Sequence, residues 1–69
     1  MEMKKVNAGN LRAIGYDPAT RTLQVETTAG TLQYTGVPAD VFRRLAASSS
    51  PWSYYRDNIE DEFTARRIR

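Results

Sequence analysis

Tyr54-Tyr55-Arg56, and Arg43-Arg44 on the segment before them, are the residues of this chain best suited to meeting a ligand. Aromatic rings stack on unpaired bases while guanidinium forks hold phosphate oxygens, the combination that single-stranded nucleic acid requires. Catalysis has far less to work with. The chain contains no His and no Cys, which removes the common general base, the thiolate nucleophile and the usual tetrahedral zinc ligands. A serine nucleophile would need Lys4 or Lys5 as its base, and the spacing brings neither lysine beside Ser48, Ser49, Ser50 or Ser53. Asp57, Glu60, Asp61 and Glu62 form an acidic cluster, but it lacks the glycine turn and alternating ligands of an EF-hand loop. Such a run ordinarily makes a solvated helix face. Gly9, Gly15, Gly30 and Gly36 stand apart, so no phosphate-cradling loop is built from them. The expectation is a binding module that is not an enzyme and takes no cofactor and no metal.

Charge supports this reading only through its distribution. Ten basic residues against eight acidic ones leave a net charge of +2, too little by itself to imply a polyanionic partner. All the cations except Lys4 and Lys5 are arginines, and the arginine fork matches phosphate or carboxylate better than an ammonium does. A solvated surface accounts for the same residues without any ligand. Trp52, Tyr55 and Tyr34 likewise read most simply as core in a domain with few other large side chains.

The elements that must position these groups follow from periodicity. Ile14/Tyr16, Leu23/Val25 and Leu32/Tyr34 each alternate with polar or small residues, which predicts three short strands. Asp17-Pro18-Ala19-Thr20 and Thr27-Thr28-Ala29-Gly30 carry turn chemistry between them, giving an antiparallel meander with one apolar face to cover. Gly36 to Asp40 reads as a helix start, with Pro38 in the first turn and Asp40 at the positive end of the dipole. Pro38, Val41, Phe42 and Leu45 then make a stripe that should lie on the sheet, while Asp40, Arg43, Arg44 and Ala47 project away. Ser48-Ser49-Ser50-Pro51 ends that helix and starts another, Ser50 as N-cap and Pro51 as first helical residue. A second helix running from Pro51 to about Phe63 puts Trp52, Tyr55, Ile59 and Phe63 on one face and turns Tyr54 away from it as an exposed tyrosine. The ends, Met1 to Lys5 and Arg66 to Arg69, are expected to fray or to be ordered by a partner.

At 69 residues the chain is expected to be one domain with a modest core, worth no more than about 3–5 kcal/mol without disulfides, metals or oligomerisation. No apolar run approaches the roughly 18 residues needed to cross a bilayer. Met1-Glu2-Met3-Lys4-Lys5 is not followed by the apolar segment of a secretory signal. A cytoplasmic location, away from membranes, is the expectation.

Taken in order, Ile14-Gly15-Tyr16-Asp17, Arg21-Thr22-Leu23-Gln24-Val25, Tyr34-Thr35-Gly36-Val37-Pro38, Phe42, Leu45 and the Ser50, Tyr54-Tyr55, Ile59 segment resemble the KTSC domain. That family is short, spans nearly the whole of this chain, occurs alone in bacterial proteins and sits at the C-terminus of some lysyl-tRNA synthetases. The resemblance implies RNA as the suggested partner, through that fusion. It places the second tyrosine of the family's central Tyr-x-Tyr on Tyr34 and the family's aromatic pair on Tyr54 and Tyr55. Leu32 replaces the first tyrosine, Trp52 stands where a glycine is expected after the serines, and Arg56 stands where an asparagine often follows the aromatic pair.

The sequence reading is therefore an α+β domain: a three-stranded antiparallel β-meander followed by two short helices packed on one face, residues 1–69 forming a single KTSC-like unit. The leading function is weak binding of RNA or single-stranded nucleic acid through Arg43, Arg44, Tyr54 and Arg56. The alternative is a protein-interaction adaptor or small homodimer, pairing through the sheet's open face or an edge strand.

Overall fold

The computed structural model describes residues 3–68. Strands β1 (Met3–Ala8), β2 (Leu11–Asp17), β3 (Thr22–Thr27) and β4 (Gly30–Tyr34) lead into helices α1 (Ala39–Ala47) and α2 (Pro51–Asn58), and β5 (Ala65–Arg67) closes the order. The five strands form one antiparallel sheet in the order β1-β2-β3-β4-β5.

Register builds the core. Ile14 pairs with Val25 and Tyr16 with Leu23, while Val25 pairs with Leu32 and Leu23 with Tyr34. Directly opposite residues share a face, so the period-2 apolar positions of three strands gather on one side. The turns hold that register. The Asp17 carboxylate accepts a hydrogen bond from the Ala19 N–H at 3.0 Å, and the Thr27 hydroxyl donates to the Gly30 carbonyl at 2.8 Å. Leu45 of α1, Tyr55 of α2 and Ile59 just beyond α2 complete a buried cluster with Leu11, Ile14, Leu23, Val25, Tyr34 and Val37. Both helices therefore lie on the same face of the sheet. Thr22, Gln24, Glu26 and Gln33 alternate onto the opposite face, where the Gln33 amide donates to Gln24 at 3.0 Å. By that alternation this face carries no aromatic ring.

Tyr16 ties the layers together. Its hydroxyl donates to the Val37 carbonyl, linking β2 to the segment that enters α1. Tyr16→Phe keeps the ring and removes the bond, so unfolding free energy should fall by about 0.5–1.5 kcal/mol. Urea denaturation checks this, and an unchanged midpoint would mean the contact contributes nothing.

The expected meander is thus extended by a strand at each edge. Met3, Lys4 and Lys5 lie in β1, and Arg66 and Arg67 in β5, so these stretches are paired rather than frayed; Met1, Glu2 and Arg69 fall outside the described residues. Neither edge strand announces itself. β1 has Val6 as its one branched apolar residue and a register shift between Lys5 and Ala8, while all three β5 residues are exposed. Pro38, expected on the buried stripe, is exposed and takes the N-cap position of α1.

The second helix stops at Asn58, not near Phe63. Glu60, Asp61 and Glu62 would crowd carboxylates at its negative end. The chain turns instead, with the Ile59 and Glu60 N–H groups both donating to the Tyr55 carbonyl. Phe63 still packs against the core from the turn. Tyr54 is not the exposed tyrosine the helix period suggested; it is half-buried and packs on the same cluster.

Candidate nucleic-acid interface

Burial of Leu45 fixes how α1 is rotated on the sheet. Asp40, Arg43, Arg44 and Ala47, spaced at i, i+3, i+4 and i+7, consequently face outward, and all four are exposed. They line a shallow, open groove. Arg43 and Asp40 form an ion pair one turn apart, both largely exposed. A pair of this kind contributes only about 0.2–0.5 kcal/mol, so a phosphate can compete for Arg43. Arg44 stands in the last turn of α1 with no ion-pair partner among the described residues. A cation there is held favourably by the negative end of the helix dipole.

α2 has a different character. Trp52 stacks on Tyr55 with ring centroids 5.5 Å apart and planes 23° apart. The Arg56 guanidinium lies 6.0 Å from the Trp52 ring centroid, within cation–π range. Trp52, Ser53, Arg56, Asp57, Glu60 and Asp61 share one hollow. Three carboxylates around one guanidinium leave this part of the surface poorly disposed toward a phosphate.

The structure therefore separates the four residues singled out by sequence. Arg43 and Arg44 meet in one groove, Arg56 belongs to a second hollow that shares no lining residue with the first, and Tyr54 is occupied in packing.

Beneath α2, Tyr34 and Tyr55 meet edge to face at 5.9 Å and 81°, and their hydroxyls hydrogen-bond to each other. Both are almost fully buried. Burial pushes both phenols above the ordinary value of 10.0, and the nearby Glu60 carboxylate adds to the rise in each. A neutral hydroxyl pair of this kind holds the core together and offers no acid or base at neutral pH.

Sequence reasoning passed over one feature. Tyr16 and Phe42 stack nearly parallel, with centroids 5.3 Å apart and planes 13° apart. Both are half-buried, and with Met3 and Lys4 they line a surface cavity of about 420 Å³. The available signal was that Phe42 sits on the flank of the apolar stripe and Tyr16 near the end of its strand, where helix cover runs out.

No group of three or more carboxylates is arranged to hold a metal ion among the described residues. No helix among them is long and apolar enough to cross a membrane.

Comparison with known proteins places this arrangement in a family. A protein from Tsukamurella paurometabola is 34% identical over 64 residues, covering 91% of this chain and 96% of the relative. The crystal structure of a KTSC domain protein from Yersinia pestis superposes with a TM-score of 0.95 at 29% identity, covering 99% of this chain and 97% of that one. The KTSC domain model matches residues 7–63, which takes in both helices, four of the five strands in whole or in part, and the tyrosine pair of the core. The chain belongs to the KTSC domain family.

Proposed function

We propose that this domain is a non-catalytic module that binds RNA or single-stranded nucleic acid weakly, with Arg43 and Arg44 of α1 as its principal phosphate contacts. The observation that carries the reading is the outward groove, where two guanidinium groups stand on one helix face and a single exposed carboxylate opposes them. Tyr54 and Arg56 take lesser parts, since Tyr54 is half-buried and Arg56 is compensated by Asp57, Glu60 and Asp61. The location consistent with this role is the cytoplasm.

The test is an amide NMR titration with a mixed-sequence single-stranded RNA at low and then moderate salt. Shifts should cluster on Arg43 and Arg44 and fade as salt rises, because phosphate contacts release counterions. Arg43→Gln with Arg44→Gln should lower the slope of log affinity against log salt by about 1.4, roughly 0.7 per single-strand phosphate contact. Arg56→Gln should change affinity less than either. A salt-independent interaction, or a loss concentrated in Arg56→Gln, contradicts the assignment.

A protein-interaction adaptor, or a homodimer, is the second reading. The sheet face bearing Gln24 and Gln33 and the outer edge of β1 are the surfaces that favour it. It requires a solution mass above one chain, or a captured protein that survives nuclease treatment.

A further inference from the structure

The cavity beside β1 joins three properties that core packing alone does not call for. Tyr16 and Phe42 are stacked on each other yet left half-open to solvent. Lys4, whose backbone pairs with Ile14, stands exposed at the same cavity and has no ion-pair partner among the described residues. Both rings are also fixed in place. The Tyr16 hydroxyl is bonded to the Val37 carbonyl, and Phe42 is carried on a helix anchored by Leu45.

We propose that Tyr16 and Phe42, with Lys4 at their rim, form a subsite for one nucleotide of a single-stranded RNA, the base stacking against the aromatic pair and a phosphate meeting the Lys4 ammonium. The inference rests on the nucleic-acid reading above and adds the place where a base is held. A pre-positioned ring surface loses little conformational freedom on binding, so the stacking energy is not consumed in ordering the site. Stacking on an aromatic ring tolerates any base, which agrees with the absence of a convergent set of hydrogen-bonding groups in the lining. The cavity volume of about 420 Å³ lies within the range of small-ligand sites, roughly 300–1,000 Å³. Arg43 follows Phe42 directly on α1 and faces the arginine groove, so a strand seated on the rings has its next cations on the same helix. The sheet's other face, which lacks aromatic side chains, offers no comparable surface.

The experiment compares RNA binding by the unaltered chain, Phe42→Leu, Lys4→Gln, and the Arg43→Gln, Arg44→Gln pair, using one mixed-sequence single-stranded RNA at low salt. Phe42→Leu keeps an apolar side chain against the core and removes the ring; its dispersed amide spectrum confirms folding. Lys4→Gln alters an exposed side chain and leaves the core untouched. Phe42→Leu should weaken binding roughly 5- to 150-fold, the loss of one base stack, and Lys4→Gln should lower the salt slope by about 0.7. Ring resonances of Tyr16 and Phe42 should shift on adding RNA to the unaltered chain. If the arginine variant loses affinity while Phe42→Leu and Lys4→Gln both bind normally, the subsite is refuted and the arginine groove stands. If the unaltered chain binds no RNA at low salt, both are refuted.

Discussion

Gly9→Ala should lower the melting temperature by roughly 8–40 °C. Gly9 lies in the turn between β1 and β2 with φ at +58°, where an L-residue costs about 1–2 kcal/mol. It is also pressed against Trp52. A Cβ built at Gly9 would lie 2.9 Å from two atoms of the indole ring and 3.1 Å from the Trp52 Cβ, so the hairpin or the helix must move. Overpacking of this kind adds about 1–3 kcal/mol. For a chain of this size each kcal/mol shifts the midpoint by roughly 4–8 °C, hence the range.

Gly36 supplies the internal control. Its φ of +71° imposes a similar backbone penalty, but nothing lies within 4 Å of the position its Cβ would occupy. Gly36→Ala should therefore show the backbone part alone. Placing Gly9→Ala in a Trp52→Ala background should bring its cost down toward that of Gly36→Ala, because the two ring atoms at 2.9 Å are gone and only the Cβ contact at 3.1 Å remains. Thermal unfolding followed by circular dichroism reads all of these, and equal losses at Gly9 and Gly36 in the unaltered background would refute the steric account.

The second large effect belongs to the buried tyrosines. Tyr34→Phe removes one hydroxyl and leaves that of Tyr55, 3% exposed, without its partner. An orphaned buried donor costs about 1–3 kcal/mol, whereas replacing both partners with apolar groups of the same shape can be nearly neutral. Tyr34→Phe should thus be more destabilising than Tyr34→Phe with Tyr55→Phe, an ordering that independent contributions would not produce.

Alkali probes the same pair from the other side. Both phenols are raised above 10.0 in the fold, first by loss of solvent. The unfolded chain therefore releases these protons at lower pH than the folded one. Stability from this source is fully present below about pH 10 and falls as pH climbs from there toward the folded-state values. Denaturant unfolding at pH 7 and pH 11 should show the unaltered chain losing more stability than the double phenylalanine variant; identical losses would assign the alkaline sensitivity elsewhere.

How much of this was legible beforehand depends on whether a residue's role is periodic. Leu23/Val25 and Leu32/Tyr34 alternate because one face of each strand is buried, and the turns at Asp17 and Gly30 carry their own chemistry, so β2, β3 and β4 could be read directly. β1 and β5 could not, because an edge strand pairs through its backbone and needs no apolar alternation: Ala65, Arg66 and Arg67 are all exposed. Arg43 and Arg44 were correctly placed outward, since Leu45 fixes the helix by a rule visible in spacing. The exposure of Tyr54 was misjudged for a different reason: it is half-buried against the core cluster, through contacts that only the folded chain brings together. The Tyr16–Phe42 stack is likewise a meeting of a strand and a helix far apart in sequence, beyond any local pattern.

Sheet order carries a last consequence, for the route by which the chain folds. Three of the four strand pairings join consecutive hairpin partners, and only β4 with β5 spans the helices, Leu32 pairing with Arg67. Hairpins close small loops quickly, while a long loop must give up more chain entropy before its contacts form. The meander can therefore assemble as a nucleus on which α1 and α2 settle, and β5 acts as a latch fastened last, so that opening of the native domain begins at the strand bearing Arg66 and Arg67.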